Sequence, residues 1–159
     1  MLARDKAYLA GFIDGEGSIG FQRTHHGRHN PFIYPRVWVY NTHKPVLIYY
    51  QKLCGGTLQL QSASSSKKMC KKLWRLGFNL KEMTKVLKEI RPYLKIKQVQ
   101  ADLCLEFINT NREIKRDKNG CIKKLDKDVV QFRNSLFKKY QKAQRFGKSL
   151  YPGRTVTKW

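Results

Sequence analysis

The chain has 159 residues, of which 41% are hydrophobic, enough for one domain with a buried core and too apolar for a disordered polymer. Its 33 lysines and arginines outnumber 11 acids, giving a formal net charge of +22. That is far above the roughly 2–8 charges that suit a small soluble domain, and it predicts a polyanionic partner that relieves the self-repulsion. The cations are spread along the chain and interleaved with aromatics, not gathered in one amphipathic helix or tail, so nucleic acid is favoured over a membrane surface. No apolar run reaches the length of about 18 residues that a membrane span needs, and the first residues lack the apolar stretch of a signal peptide. Cysteines 54, 70, 104 and 121 form no CxxC pair and no zinc-spaced cluster with histidine, so reduced thiols in an intracellular protein are expected.

Residues 5–14, DKAYLAGFID, read as a helix with Tyr8 and Phe12 on one face and Leu9 and Ile13 on the next, closed by Gly15 as a left-handed cap. SIGFQRTH then alternates, Ile19 and Phe21 against Ser18, Gly20, Gln22 and Thr24. HHGRHNP is a loop, and THHGRHN would at most touch phosphate. FIYPRVWVY alternates again, Ile33, Pro35, Val37 and Val39 opposing Tyr34, Arg36, Trp38 and Tyr40. NTHKPVLIYYQKLC predicts a second helix capped by Asn41 or Thr42, with Pro45 in its first turn and Gly55-Gly56 as its stop.

TLQLQS is a third strand with Leu58 and Leu60 toward the core opposite Thr57, Gln59 and Gln61, SASSSKK is a polar hairpin, and MCKKLWRLGF is a fourth strand in which Lys72 spoils the alternation. Asn79 and Glu82 form a capping box for a helix with Leu80, Met83, Leu87 and Ile90 as its stripe, ended by Pro92. Two further helices are expected, at 98–110 with Ala101, Cys104, Leu105 and Ile108 inward, and at 128–146 with Val129, Phe132, Leu136 and Tyr140 inward. A polar connection joins them. Paired strands between helices predict an α+β fold whose antiparallel sheet carries helices on one face. The other face would hold Gln22, Thr24, Arg36, Trp38, Tyr40, Gln59, Gln61, Lys71 and Arg75, donors, acceptors and cations suited to the base edges and phosphates of a nucleic-acid groove.

Residues 9–17, LAGFIDGEG, resemble the LAGLIDADG motif of a family of homing endonucleases. Leu9, Ala10, Gly11, Ile13, Asp14 and Gly17 are identical, while Phe12, Gly15 and Glu16 stand for Leu, Ala and the final Asp. Residues 91–103, RPYLKIKQVQADL, are similar to the segment that follows the third core helix in single-motif, rRNA-intron members. The resemblance covers about residues 5–110. It implies an αββαββα core with a four-stranded, saddle-shaped antiparallel sheet. Residues 111–159 would be a helical extension within one domain of residues 1–159.

It further implies a site-specific, intron-encoded DNA endonuclease that cuts a long pseudo-palindromic target with Mg²⁺, for which Mn²⁺ or Ca²⁺ can substitute in binding. Residue by residue, it makes Glu16 a catalytic metal ligand, the Gly15 carbonyl a second ligand, and Lys97 the active-site lysine, with Lys95 as competitor. Asn41 or Thr42 falls where relatives carry a water-positioning polar residue. Val46 and Leu47 stand where relatives often carry a basic one. Asp14 is expected to bond backbone near the end of the motif.

The residues themselves add a physical reading. Ala7, Gly11 and Gly15 recur every four positions on one helix face and let a second backbone approach. The motif occurs once, so its partner is a second copy, and a two-fold homodimer follows. Both copies of Glu16 then meet at negative helix ends, a repulsion that divalent cations relieve. Two other functions are compatible with the sequence. One is an RNA maturase that binds intron RNA; the other is a non-catalytic DNA-binding regulator. The location would be the cytoplasm of a prokaryote or an organelle.

Overall fold

The structure, a computed structural model, describes residues 1–24, 32–61, 72–113 and 126–146. Helix α1 (Ala3–Glu16) passes without a loop into β1 (Gly17–Thr24). Gly17 makes that junction possible: a Cβ there would lie 2.8 Å from the Ile13 carbonyl oxygen and 2.9 Å from its Cα. Gly15 is therefore helical and not the left-handed cap that its place in the sequence suggests; the positive-φ glycines among the described residues are Gly55 and Gly56. Those two end α2 (Lys44–Cys54), which follows β2 (Phe32–Asn41).

Next come β3 (Thr57–Gln61), β4 (Leu73–Gly77), α3 (Leu80–Ile90), α4 (Gln98–Asn109) and α5 (Lys127–Phe146). The α+β class and the αββαββα order are those expected. Asn79 and Glu82 close the capping box of α3 reciprocally, each side chain accepting a backbone N–H at 3.0 Å. Asn41 and Thr42 do not cap α2. Asn41 is the last residue of β2, and its Oδ1 accepts from the His43 N–H at 2.7 Å, turning the chain toward the helix.

The sheet is antiparallel throughout, in the order β1-β2-β4-β3. One face carries Ile19, Phe21, Ile33, Val37, Val39 and Leu76, all buried beneath the helices. Against them pack Leu9 and Ile13 of α1, Leu47 and Tyr50 of α2, Met83, Leu87 and Ile90 of α3, and Cys104 and Phe107 of α4. Three expected core positions differ. Leu60, at the end of edge strand β3, is 49% exposed, Leu80 is 43% exposed in the first turn of α3, and Phe132 is 41% exposed. In α5 the buried place belongs instead to Arg133, whose Nε donates to Thr110 Oγ1 at 2.8 Å and whose Nη2 donates to Asn111 Oδ1 at 2.6 Å. Its guanidinium also stands 4.6 Å from the Phe107 ring centroid, so two neutral acceptors and a π face help to hold the buried cation.

Helix α5 closes the outer edge of the sheet. Tyr140 packs edge-on against Phe21 at 5.2 Å, and its hydroxyl touches the position where Gly20 lacks a side chain.

Candidate active site and nucleic-acid interface

The motif helix ends at an electronegative tip. The last carbonyls of an α-helix have no intrahelical partner and carry its negative dipole end. At α1 the Ile13 carbonyl accepts the Gly17 N–H and also the Lys97 ammonium, at 3.1 Å from Nζ. Lys97 Nζ bonds the Asp14 carbonyl oxygen as well. Lys97 is half-buried, and burial pulls its ammonium below the usual lysine range, against the opposite pull of the Asp14 and Glu16 carboxylates.

Asp14 fixes the other side of this junction. Its Oδ2 accepts the backbone N–H groups of Lys95 at 2.7 Å and Ile96 at 3.2 Å, and its Oδ1 accepts that of Lys97 at 3.0 Å. Asp14 thus bonds backbone, as expected. One carboxylate gathers three successive donors just before α4 and thereby aims the Lys97 side chain at the helix end. Lys95 shares the segment but is exposed, and among the described residues no side-chain bond draws it to the tip.

Glu16 is the last residue of α1 and is exposed, as is Gly15. Among the described residues no group of three or more His, Cys, Asp or Glu side chains could enclose a metal ion. One copy offers an exposed carboxylate and the peptide oxygens of a helix end. That all-oxygen, incomplete set fits a hard divalent cation that keeps waters or phosphate oxygens in its shell. It does not fit zinc.

Ala7, Gly11 and Gly15 are all exposed on α1, and a Cβ built on Gly11 or Gly15 would meet nothing within 4 Å. Tyr8, 59% exposed, lies beside this strip, its ring 5.8 Å from that of buried Tyr50.

The sheet face opposite the helices carries the polar residues the alternation predicts. Pairing places Gln22 opposite Tyr34, Tyr40 opposite Arg75, and Gln59 opposite Arg75. Thr24 and Gln61 share this face at its ends. Lys71 lies outside the described residues, as do THHGRHN beyond Thr24, the SASSSKK segment, the 114–125 connection and the tail from 147. Thr42 is exposed and Asn41 half-buried, both away from Lys97 in sequence and neither bonded to it.

The alternation did not reveal a chain of contacts across all four strands. Gln22 Oε1 accepts from Arg36 Nη1 at 3.1 Å, and the Arg36 guanidinium sits 4.0 Å from the Trp38 ring centroid. Arg75 sits 4.5 Å from the same centroid and donates through Nη2 to Gln59 Oε1. The i, i+2 spacing of Arg36 and Trp38 was a signal for the first half. The second half depends on the β2–β4 register, which Lys72 obscured.

No protein-family model matches the chain, and no curated protein matches it. Solved structures do. The homing endonuclease I-CvuI, crystallised in complex with its target in the presence of calcium, is similar at 21% identity and a TM-score of 0.64, over 98% of this chain and 87% of that one. The archaeal intron-encoded homing endonuclease I-Vdi141I, complexed with DNA, is similar at 14% identity and a TM-score of 0.67, over 98% and 89%. The LAGLIDADG homing endonuclease I-GzeII, in complex with a DNA target, is similar at 16% identity and a TM-score of 0.63, over 94% of this chain and 50% of that one. The chain therefore has the LAGLIDADG homing-endonuclease fold over nearly its whole length. The resemblance carried by nine residues of motif extends to the architecture around them.

Proposed function

We propose that the chain is a single-motif LAGLIDADG homing endonuclease. As a homodimer it hydrolyses both strands of a long, pseudo-palindromic DNA duplex with a divalent metal, preferentially Mg²⁺. The observation that carries this reading is the tip of α1. An exposed carboxylate, helix-end carbonyls and a half-buried lysine ammonium converge there, beside a helix face that leaves room for a second backbone.

Ala7, Gly11 and Gly15 form the contact between copies, bringing two tips together at the two-fold axis. Glu16 and the Gly15 carbonyl of each copy would hold the cation. A divalent cation at such a place polarises the scissile phosphate and favours an ionised nucleophile. Lys97, fixed by the Ile13 and Asp14 carbonyls, supplies a positive charge where negative charge develops in the transition state. Asn41 or Thr42, in the turn between β2 and α2, orients water. The sheet face holding Gln22, Thr24, Arg36, Trp38, Tyr40, Gln59, Gln61 and Arg75 binds the major groove, and the sequence adds Lys71 to that set.

Incubation with an intron-lacking host gene fragment, or with a pooled randomised plasmid library, tests the proposal. The reaction is run with Mg²⁺, with chelator, and with Glu16→Gln. A discrete double-strand break that needs both metal and Glu16 is the expected result. Binding without a break, equal for wild type and variant, would refute the catalytic reading.

A further inference from the structure

The polar face of the sheet contains one ring shared by two guanidinium groups. Arg36 comes from the same strand as Trp38, two residues earlier, and Arg75 comes from β4 opposite Tyr40. The indole has room to serve both because its own partner across the sheet is Gly77. A Cβ there would come within 3.3 Å of Trp38 Cδ1 and 3.5 Å of Nε1. A glycine opposite a tryptophan thus opens a berth for the indole, and the indole becomes the floor on which two cations rest.

Each guanidinium is also held from its far side, Arg36 by Gln22 and Arg75 by Gln59. The glutamine oxygens come from the two edge strands, so side chains of all four strands fix two arginine heads. An arginine has five N–H donors in a planar fork. A glutamine occupying one N–H and a ring against the plane leave donors at the edge for another acceptor. A long side chain fixed in this way loses little further freedom on binding, which is what base readout requires. A cation meant only for phosphate needs no such bracing, since the backbone charge can be met from many rotamers.

Planar bidentate recognition by arginine in the major groove is matched by the O6 and N7 acceptors of guanine. Both guanidinium carbons lie within 4.5 Å of one ring centroid. Their heads consequently address base pairs no more than about three steps apart, at roughly 3.4 Å per step. We infer that Trp38 is a positioning residue that holds Arg36 and Arg75 to read two closely spaced guanines in each DNA half-site. This rests on the proposal that the sheet face binds duplex DNA.

The test is selection of bound sequences from a randomised duplex library in calcium buffer, where enrichment does not depend on cutting. Wild type should enrich two guanines within three base pairs of each other. Arg36→Gln and Arg75→Gln should each lower the preference at one of them, about tenfold or more. Trp38→Leu should weaken both together and leave preferences elsewhere unchanged. Trp38→Phe, which keeps a π face and guards against a folding defect in the leucine variant, should retain most of both.

The inference is overturned if Trp38→Leu lowers affinity for all sequences alike, or if Arg36→Gln and Arg75→Gln only reduce the salt dependence by about one phosphate contact each. Either result would still leave the sheet face as the surface that binds DNA. Failure of wild type to enrich any duplex would overturn the inference together with the reading on which it rests.

Discussion

Replacing Asp14 by alanine removes one carboxylate and three hydrogen bonds at once. The bonds run to the N–H groups of Lys95, Ile96 and Lys97 at 2.7, 3.2 and 3.0 Å. A bond to a charged acceptor contributes about 1.5–3 kcal/mol when shielded. Asp14 is half-buried, and the segment 95–96 is exposed, so water takes up part of the loss. An aggregate cost of about 2–4 kcal/mol follows for Asp14→Ala.

Asp14→Asn sharpens the reasoning, because both carboxylate oxygens accept N–H groups. Whichever way the amide turns, its NH₂ faces a donor, so asparagine should recover only part of the loss. Urea denaturation measures both variants. A change below about 1 kcal/mol for alanine, or full recovery by asparagine, would refute the view that this carboxylate latches the α1 tip to the start of α4.

Three further outcomes follow from the geometry. Gly20→Ala drives a methyl group into the Tyr140 ring and should cost about 1–3 kcal/mol, with Tyr140→Ala recovering part of that in a double-mutant cycle; additive losses would mean the two do not meet. Arg133→Met leaves the Asn111 oxygen without the Nη2 donor and should lower stability by about 2–3 kcal/mol, checked by chemical denaturation; an unchanged midpoint would show that α5 docks without this cation. Burial lowers the Lys97 pKa on folding, so the unfolded chain binds more protons between the two pKa values and stability rises with pH across that window, just below the ordinary lysine range. Lys97→Met should abolish that rise in paired denaturation curves, and abolish cleavage while DNA binding persists. An identical pH dependence in both proteins would show that Lys97 is not desolvated.

Much of this arrangement was readable from the chain. Strand parity sorted Val37 and Val39 from Arg36 and Trp38 because one face of the sheet is dry and the other wet, and a period of two leaves no third choice. The capping box at Asn79 was legible because both halves lie within four residues. What escaped was one local helix end and several contacts set by partners distant in sequence. Gly15 has the composition of a cap, yet the chain stays helical through Glu16 because Gly17 permits the close approach to Ile13. Arg133 has the composition of a surface residue, yet it is buried because Thr110, Asn111 and Phe107 receive it. At the tip, Lys97 stood out through resemblance, but its bonds to the Ile13 and Asp14 carbonyls join positions 84 and 83 residues apart.

The same separation has a consequence for biosynthesis. Helix α1 emerges from the ribosome first, and the backbone that Asp14 clasps follows 81–83 residues later. At about 5–20 residues per second the motif exists for roughly 4–16 s before its latch has been translated. A product that stops before residue 95 contains the whole nine-residue motif and every described strand, but neither the clasp nor the lysine. Completion of the tip is thereby deferred until α1 to α3 and all four described strands have been made, and premature termination before that point yields a chain that carries the signature without the latch.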